Sequence, residues 1–170
     1  MSIAKITERF DAFSQAPLTR DLGLLAIRVA LAWLFIYHGG RTLFGAFNGA
    51  GLHTTALFYA NIAHLKPGEL FAVLGGGVEF FGGIAIALGL LSRLAGLGLL
   101  VDMVLAMITV TFHNGPASST ANIGVGGGYE IDLALAALAA ALMLLGAGRL
   151  SLDALIVSRL RTARSPHAQA

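Results

Sequence analysis

The chain predicts an all-α polytopic membrane protein: a four-transmembrane-helix bundle with short interfacial helices, forming a single domain over 1–170. Three observations predict it. Hydrophobic residues make up 56% of the chain and charged residues only 12%, about half the charged share of a soluble domain. Mean hydropathy is +0.80. Four apolar stretches, 22–37, 70–91, 94–112 and 131–145, each approach the ~20 residues that cross ~30 Å of hydrocarbon as a helix.

In chain order, Ile3, Ile6, Phe10 and Phe13 recur at helical spacing among Lys5, Glu8, Arg9 and Asp11. That pattern predicts an interfacial helix over 2–14, ended by Pro17. The first span is expected over 21–40. Arg28 lies inside its apolar region and no small-residue cleavage site follows, so it reads as a retained helix rather than a signal peptide. Trp33 and Tyr37 read as packing or interface anchors. In the long connection 40–68, Leu57, Phe58, Ile62 and Leu65 predict a half-buried helix over 54–65 on the outer face, placed to act as a lid.

The second span is expected over 69–91 and the third over 94–112. Gly75, Gly76, Gly77, Gly82, Gly83 and Gly89 crowd the second, and Gly96 and Gly98 follow in the third. The fourth span, 129–147, is alanine-rich, with Ala136 and Ala140 four apart. Small residues let membrane helices approach closely, so these positions are expected to be helix-packing contacts. Gly124, Gly126, Gly127 and Gly128 read as a flexible turn into the fourth span. No strand precedes them and no lysine follows, so a phosphate loop is not expected. Finally, Ser151 caps a helix over 151–161, whose Leu152, Leu155, Ile156 and Leu160 lie beside basic residues.

The basic residues sort by membrane side. Lys5, Arg9, Arg20, Arg93, Arg149, Arg159, Arg161 and Arg164 fall on one side; Arg41 and Lys66 fall on the other. The positive-inside rule then puts both termini in the cytoplasm. Because the net charge of +2 reflects this sorting, no nucleic-acid partner is expected. The chain has no cysteine, which excludes disulfides and thiol redox chemistry.

Charges within apolar spans are costly and normally face the bundle interior. At ~1.5 Å per residue, Arg28 is placed roughly 10 Å above the inner boundary, Asp102 about 13 Å and Glu79 near 18 Å. These three are expected to form one buried cluster, either a structural ion pair or a proton-handling group. An outer layer holds His38, Arg41, His113, Glu130 and Asp132, suited to proton exchange or hydrogen bonding. No metal is expected, since His38, His113 and Glu130 lack tight ligand spacing. His53, His64 and His167 read as incidental. Arg149 and Asp153, four apart, are expected to pair and staple the end of the last span.

His38-Gly39 followed by Leu43-Phe44-Gly45 resembles the HGxxKLFG signature of the DoxX family, with Thr42 in place of its lysine and Arg41 adjacent. Gly77-Val78-Glu79-Phe80, Gly82-Gly83, Leu88-Gly89-Leu90 and Arg93 are similar to that family's second-helix pattern. Asp102-Met103, Ala106, His113, Glu130 and the run Gly146-Ala147-Gly148-Arg149 with Ser151 and Asp153 continue the same order. The resemblance spans roughly 22–153. It implies a four-helix membrane bundle related to the DoxD subunit of thiosulfate:quinone oxidoreductase.

The resemblance and the charge placement together lead to an expectation. The chain is an accessory or quinone-interacting subunit of a redox, respiratory or oxidative-stress system in a bacterial inner membrane. Its partners would be the lipid bilayer and either redox subunits or further copies of itself. The candidate catalytic residues are Glu79, Asp102 and His113. The candidate ligand-binding residues are Arg28, His38, Arg41, Glu79, Asp102, His113 and Glu130. Quinone is the expected non-covalent cofactor. With no redox thiol and no flavin or nicotinamide motif, the chain moves electrons only through a bound quinone or a partner. Two alternatives stay open: a non-catalytic membrane scaffold or assembly factor, and a small proton-linked transporter.

Overall fold

The computed structural model describes residues 17–117 and 127–164. The helix expected over 2–14 lies outside them, as do Gly124, Gly126 and the tail beyond 164. The described residues form α1 (Pro17–Phe44), α2 (Gly51–Asn61), α3 (Gly68–Leu88), α4 (Ser92–Ala106), α5 (Glu130–Leu145) and α6 (Leu152–Arg164), with no strand among them. A 3-10 turn, Ala46–Asn48, links α1 to α2. A π turn, Met107–Thr111, and a 3-10 turn, Phe112–Asn114, continue α4.

Three helical segments are long and apolar enough to cross a membrane: Pro17–Phe44, Gly68–Leu88 and Ser92–Asn114. α5 has 16 residues, about 24 Å of helix, which is shorter than a ~30 Å hydrocarbon core. The first segment begins four residues before the expected boundary because Pro17, with its fixed φ and missing N–H, suits the first turn of a helix.

α1, α3, α4 and α5 alternate in direction and close a ring, each packing on the next and α5 returning to α1. One end of the bundle, here the proximal end, carries Pro17, Leu88, Ser92 and Leu145. The distal end carries Phe44, Gly68, Asn114 and Glu130. Leu24, Leu31, Phe35, Ile86, Leu99 and Leu142 fill the core. Large apolar side chains also cover the outside: Trp33 is 73% exposed, Phe81 62% and Leu144 66%. An apolar surface of this extent matches a lipid solvent rather than water.

Glycine sets the helix spacing at two seams. A Cβ on Gly39 of α1 would lie 2.8 Å from the Gly76 carbonyl oxygen of α3, and one on Gly96 of α4 would lie 2.9 Å from the Ala139 carbonyl of α5. Both seams require the backbones themselves to touch, as the small residues predicted.

The proximal end is a clasp of polar groups on helix termini. α3 ends in a Schellman turn: Gly89 has φ 66°, Leu90 N–H donates to the Ala85 carbonyl at 2.8 Å and Gly89 N–H to that of Ile86 at 3.1 Å. Ser151 caps α6 as expected, accepting from Ala154 N–H at 3.2 Å. Leu91, just before α4, is held at φ 48°. The Asp153 carboxylate accepts from Leu91 N–H at 2.9 Å and Ser92 N–H at 3.1 Å, capping α4 from across the chain.

Asp153→Ala is therefore expected to lower stability by about 1–2 kcal/mol. Leu91→Gly in that background should recover part of the loss, since a left-handed residue with a Cβ costs about 1–2 kcal/mol. Thermal melts in detergent decide it; an unchanged melt for Asp153→Ala would remove the cap from the account.

The Arg149–Asp153 pairing expected from spacing does not form. Arg149 lies before the first residue of α6, so the one-turn geometry of a four-residue interval does not apply. Arg149 instead pairs with Asp21 of α1 through Nε at 2.6 Å, while its backbone N–H donates to the other Asp21 oxygen at 2.9 Å. The pair ties α1 to the α5–α6 connection.

Candidate functional site

Arg28 does not join Glu79 and Asp102, correcting the three-residue cluster expected from depth. Its guanidinium is 2% exposed and donates to four backbone carbonyls: Ile86 from Nε at 2.9 Å, Ala87 from Nη2 at 2.8 Å, Leu150 from Nη1 at 2.6 Å and Ala147 from Nη1 at 3.3 Å. These acceptors lie at the C-terminal end of α3 and in the α5–α6 connection, where carbonyls lack the usual i+4 helical donor, although Ile86 also accepts from Gly89 N–H. Glu79 is seven residues before Ile86, about 10 Å along the helix axis. The long arginine side chain satisfies itself at the proximal end, where the helix dipole also favours a cation.

The two acids instead line a cavity of about 290 Å³ between α2, α3 and the α4 segment. Glu79 enters from α3, Asp102 from α4 and Tyr59 from α2; Phe71, Val78 and Met103 are among its apolar walls. Gly75 keeps it open. A Cβ there would sit 3.2 Å from the Tyr59 hydroxyl oxygen and 3.4 Å from Asp102 Oδ1, so both oxygens face one small volume. Burial, with Asp102 and Glu79 facing it, pushes the Tyr59 phenol well above its ordinary pKa. Tyr59 thus stays a neutral hydroxyl donor. The π turn after Ala106 adds Thr109 to the cavity wall, and such turns are frequent at functional sites.

The acids extend toward the distal end. Asp132 of α5 is within electrostatic reach of both Glu79 and Asp102, and His38 of α1 is within reach of Asp132. Each of the four ring helices thus carries one of these titratable groups, Glu79, Asp102 and Asp132 half-buried and His38 exposed. Asp132 also accepts from Thr111 Oγ1 at 2.6 Å. Of the expected inner layer, Glu79 and Asp102 share one cavity and Arg28 stands apart.

The remaining candidates lie on the distal rim, outside the cavity wall. Arg41 donates to the Tyr37 hydroxyl at 3.2 Å and the Phe47 carbonyl at 2.7 Å, and lies 5.4 Å from the Tyr37 ring centre. His38 is edge-on to Tyr37, with ring centres 5.3 Å apart. His113 is exposed on the turn after the π segment, and Glu130 is exposed at the start of α5. Among the described residues, no three His, Asp or Glu side chains converge as a metal site.

Two contributors escaped the sequence reading. Asp21 has its partner 128 residues away, with no local signal. Tyr59 sits in the helix expected as a lid, and its place between the apolar Phe58 and Leu65 was the available hint. A larger, open depression of about 770 Å³ lies between the start of α4 and α6. The acid in its wall, Asp153, already has both oxygens on backbone N–H groups.

No curated protein and no solved structure matches this chain. The sequence pattern of one family, DoxX, matches residues 23–114. That stretch holds α1 from Gly23 onward and all of α2, α3 and α4, and with them Tyr59, Glu79 and Asp102. It is more than half of the 170 residues, and the chain is a membrane protein of the DoxX family.

Proposed function

We propose that this DoxX protein is a quinone-interacting accessory subunit of a redox system in a bacterial inner membrane, with the cavity walled by Tyr59, Glu79 and Asp102 as its head-group site. That cavity is the observation that carries the reading. Its volume suits a single substituted ring, and its walls combine apolar side chains with a hydroxyl and two carboxyls. Gly75 leaves room where any larger residue would meet both Tyr59 and Asp102.

A bound quinone would supply a two-electron, two-proton acceptor, with electrons delivered by a partner subunit. Tyr59 would donate a hydrogen bond to a ring carbonyl and orient the head group. Glu79 and Asp102 would hold and hand over protons, with Asp132, His38, Arg41, His113 and Glu130 as the groups toward the distal rim through which protons would exchange with water. α2 covers the cavity and limits water entry.

The membrane arrangement proposed with it has four spans, α5 being the fourth, and both termini in the cytoplasm. α5 closes the helical ring and presents Ile131, Leu133 and Leu144 outward, which supports spanning despite its length. α2 and α6 serve as interfacial helices; Leu152, Leu155, Ile156 and Leu160 of α6 are exposed beside Arg159 and Arg161. A scaffold working through glycine faces fits less well, because Gly39, Gly76, Gly83 and Gly96 pack against neighbours within the bundle.

Native mass spectrometry of the protein, extracted from its own membrane in mild detergent, tests the reading. The expected result is a bound quinone or co-purification with a dehydrogenase or oxidase subunit. A lone oligomer free of quinone would overturn the redox assignment and favour transport or scaffolding.

A further inference from the structure

The head-group cavity does not end at its own walls. On the outer side of the α3–α4 seam lies a groove of about 680 Å³. Leu74, Val78, Gly98 and Val101 line both the groove and the cavity, so the two are neighbours across one partition. The groove follows α3 from Val73 to Ala85, about 18 Å at 1.5 Å per residue. Its walls are apolar and lipid-facing: Phe81 is 62% exposed and Leu94 64%. Gly77 hollows its floor, since a Cβ there would meet nothing within 4 Å.

We propose that this groove seats the apolar chain of the same amphiphile whose ring occupies the cavity, so that the ligand enters sideways from the bilayer through the α3–α4 seam. The inference rests on the quinone reading and names the ligand class more closely: a compact polar ring bearing a long prenyl or alkyl tail.

Three observations argue for this occupant. At about 290 Å³ the cavity lies at the lower limit of small-molecule sites, enough for a ring but not for a ring with its tail. Because Leu74, Val78, Gly98 and Val101 belong to both, the groove is the neighbouring space that a tail leaving the cavity reaches first. A chain moving from lipid into the groove exchanges one apolar surrounding for another, so its preference comes from packing contacts, which Gly77 and Gly98 permit by leaving space.

The test compares two probes on the purified protein in lipid nanodiscs: decylubiquinone, which has a tail, and the tail-less dimethoxy-methyl-benzoquinone ring. Gly77→Leu fills the groove floor without touching the cavity wall. Leu97→Trp, at an exposed groove position (44% exposed), provides a second obstruction should the first variant misfold. The expected result is that either variant binds decylubiquinone about tenfold more weakly, while binding of the bare ring stays within about twofold. If both probes bind and neither variant discriminates between them, the groove assignment is overturned and the cavity reading stands. If the wild-type protein binds neither probe, both fall.

Discussion

Replacing Arg28 with alanine is expected to lower stability by at least about 3–5 kcal/mol, enough to prevent the protein from accumulating in the membrane. Hydrogen bonds to a charged group contribute about 1.5–3 kcal/mol each, and Arg28 donates to four carbonyls from a site that is 2% exposed. Truncation would strip all four acceptors of the guanidinium at once, leaving Ile86 only its Gly89 N–H partner from the Schellman turn. Arg28→Lys should recover only part of the loss, because an ammonium lacks the planar fork that reaches Ile86, Ala87 and Leu150 at once. Membrane yield and detergent melting temperature, read for both variants, settle the matter. Normal accumulation of Arg28→Ala would show that the clasp is dispensable and that the guanidinium has another task.

Glu79→Gln carries the second large effect, on activity rather than on fold. The amide keeps the shape and hydrogen-bonding capacity of the side chain but cannot take up or release a proton. A positioned acid or base contributes about 10²–10⁴-fold to a proton-transfer step. Quinone reduction by the native membrane complex is therefore expected to fall at least about a hundredfold, while insertion and melting temperature stay near the parent values. Arg28 has no share in this loss, since it sits with the proximal clasp. Full activity in Glu79→Gln would falsify the acid–base role. A loss of activity matched by a loss of stability would instead make Glu79 a structural residue.

The helical class was legible because lipid imposes a coarse constraint: long apolar runs interrupted by few charges have little else to become. The first three spans are read within a few residues of α1, α3 and the extended α4. The helix over 54–65 is found at Gly51–Asn61, and the Ser151 cap stands where expected. What the sequence concealed were partners without a side-chain signature. Depth counting considered only charged groups as companions for Arg28, whereas its companions are backbone carbonyls, which every residue carries. Asp21 and Arg149 pair across 128 residues, and no periodicity encodes such a contact.

The distribution of Arg28's acceptors also bears on how the protein is made. α1 leaves the ribosome before its partners and brings Arg28 into the membrane ahead of them. Ile86 and Ala87 follow 58 and 59 residues later, Ala147 and Leu150 only after 119 and 122. At 5–20 residues per second, translation leaves the guanidinium incompletely solvated for about six seconds or more. The helical ring can gather in that interval, but its proximal end stays open until the α5–α6 connection arrives. Closure of the clasp thus waits for residue 150, and a nascent chain cut short before it carries an unsatisfied cation that distinguishes it from a longer one.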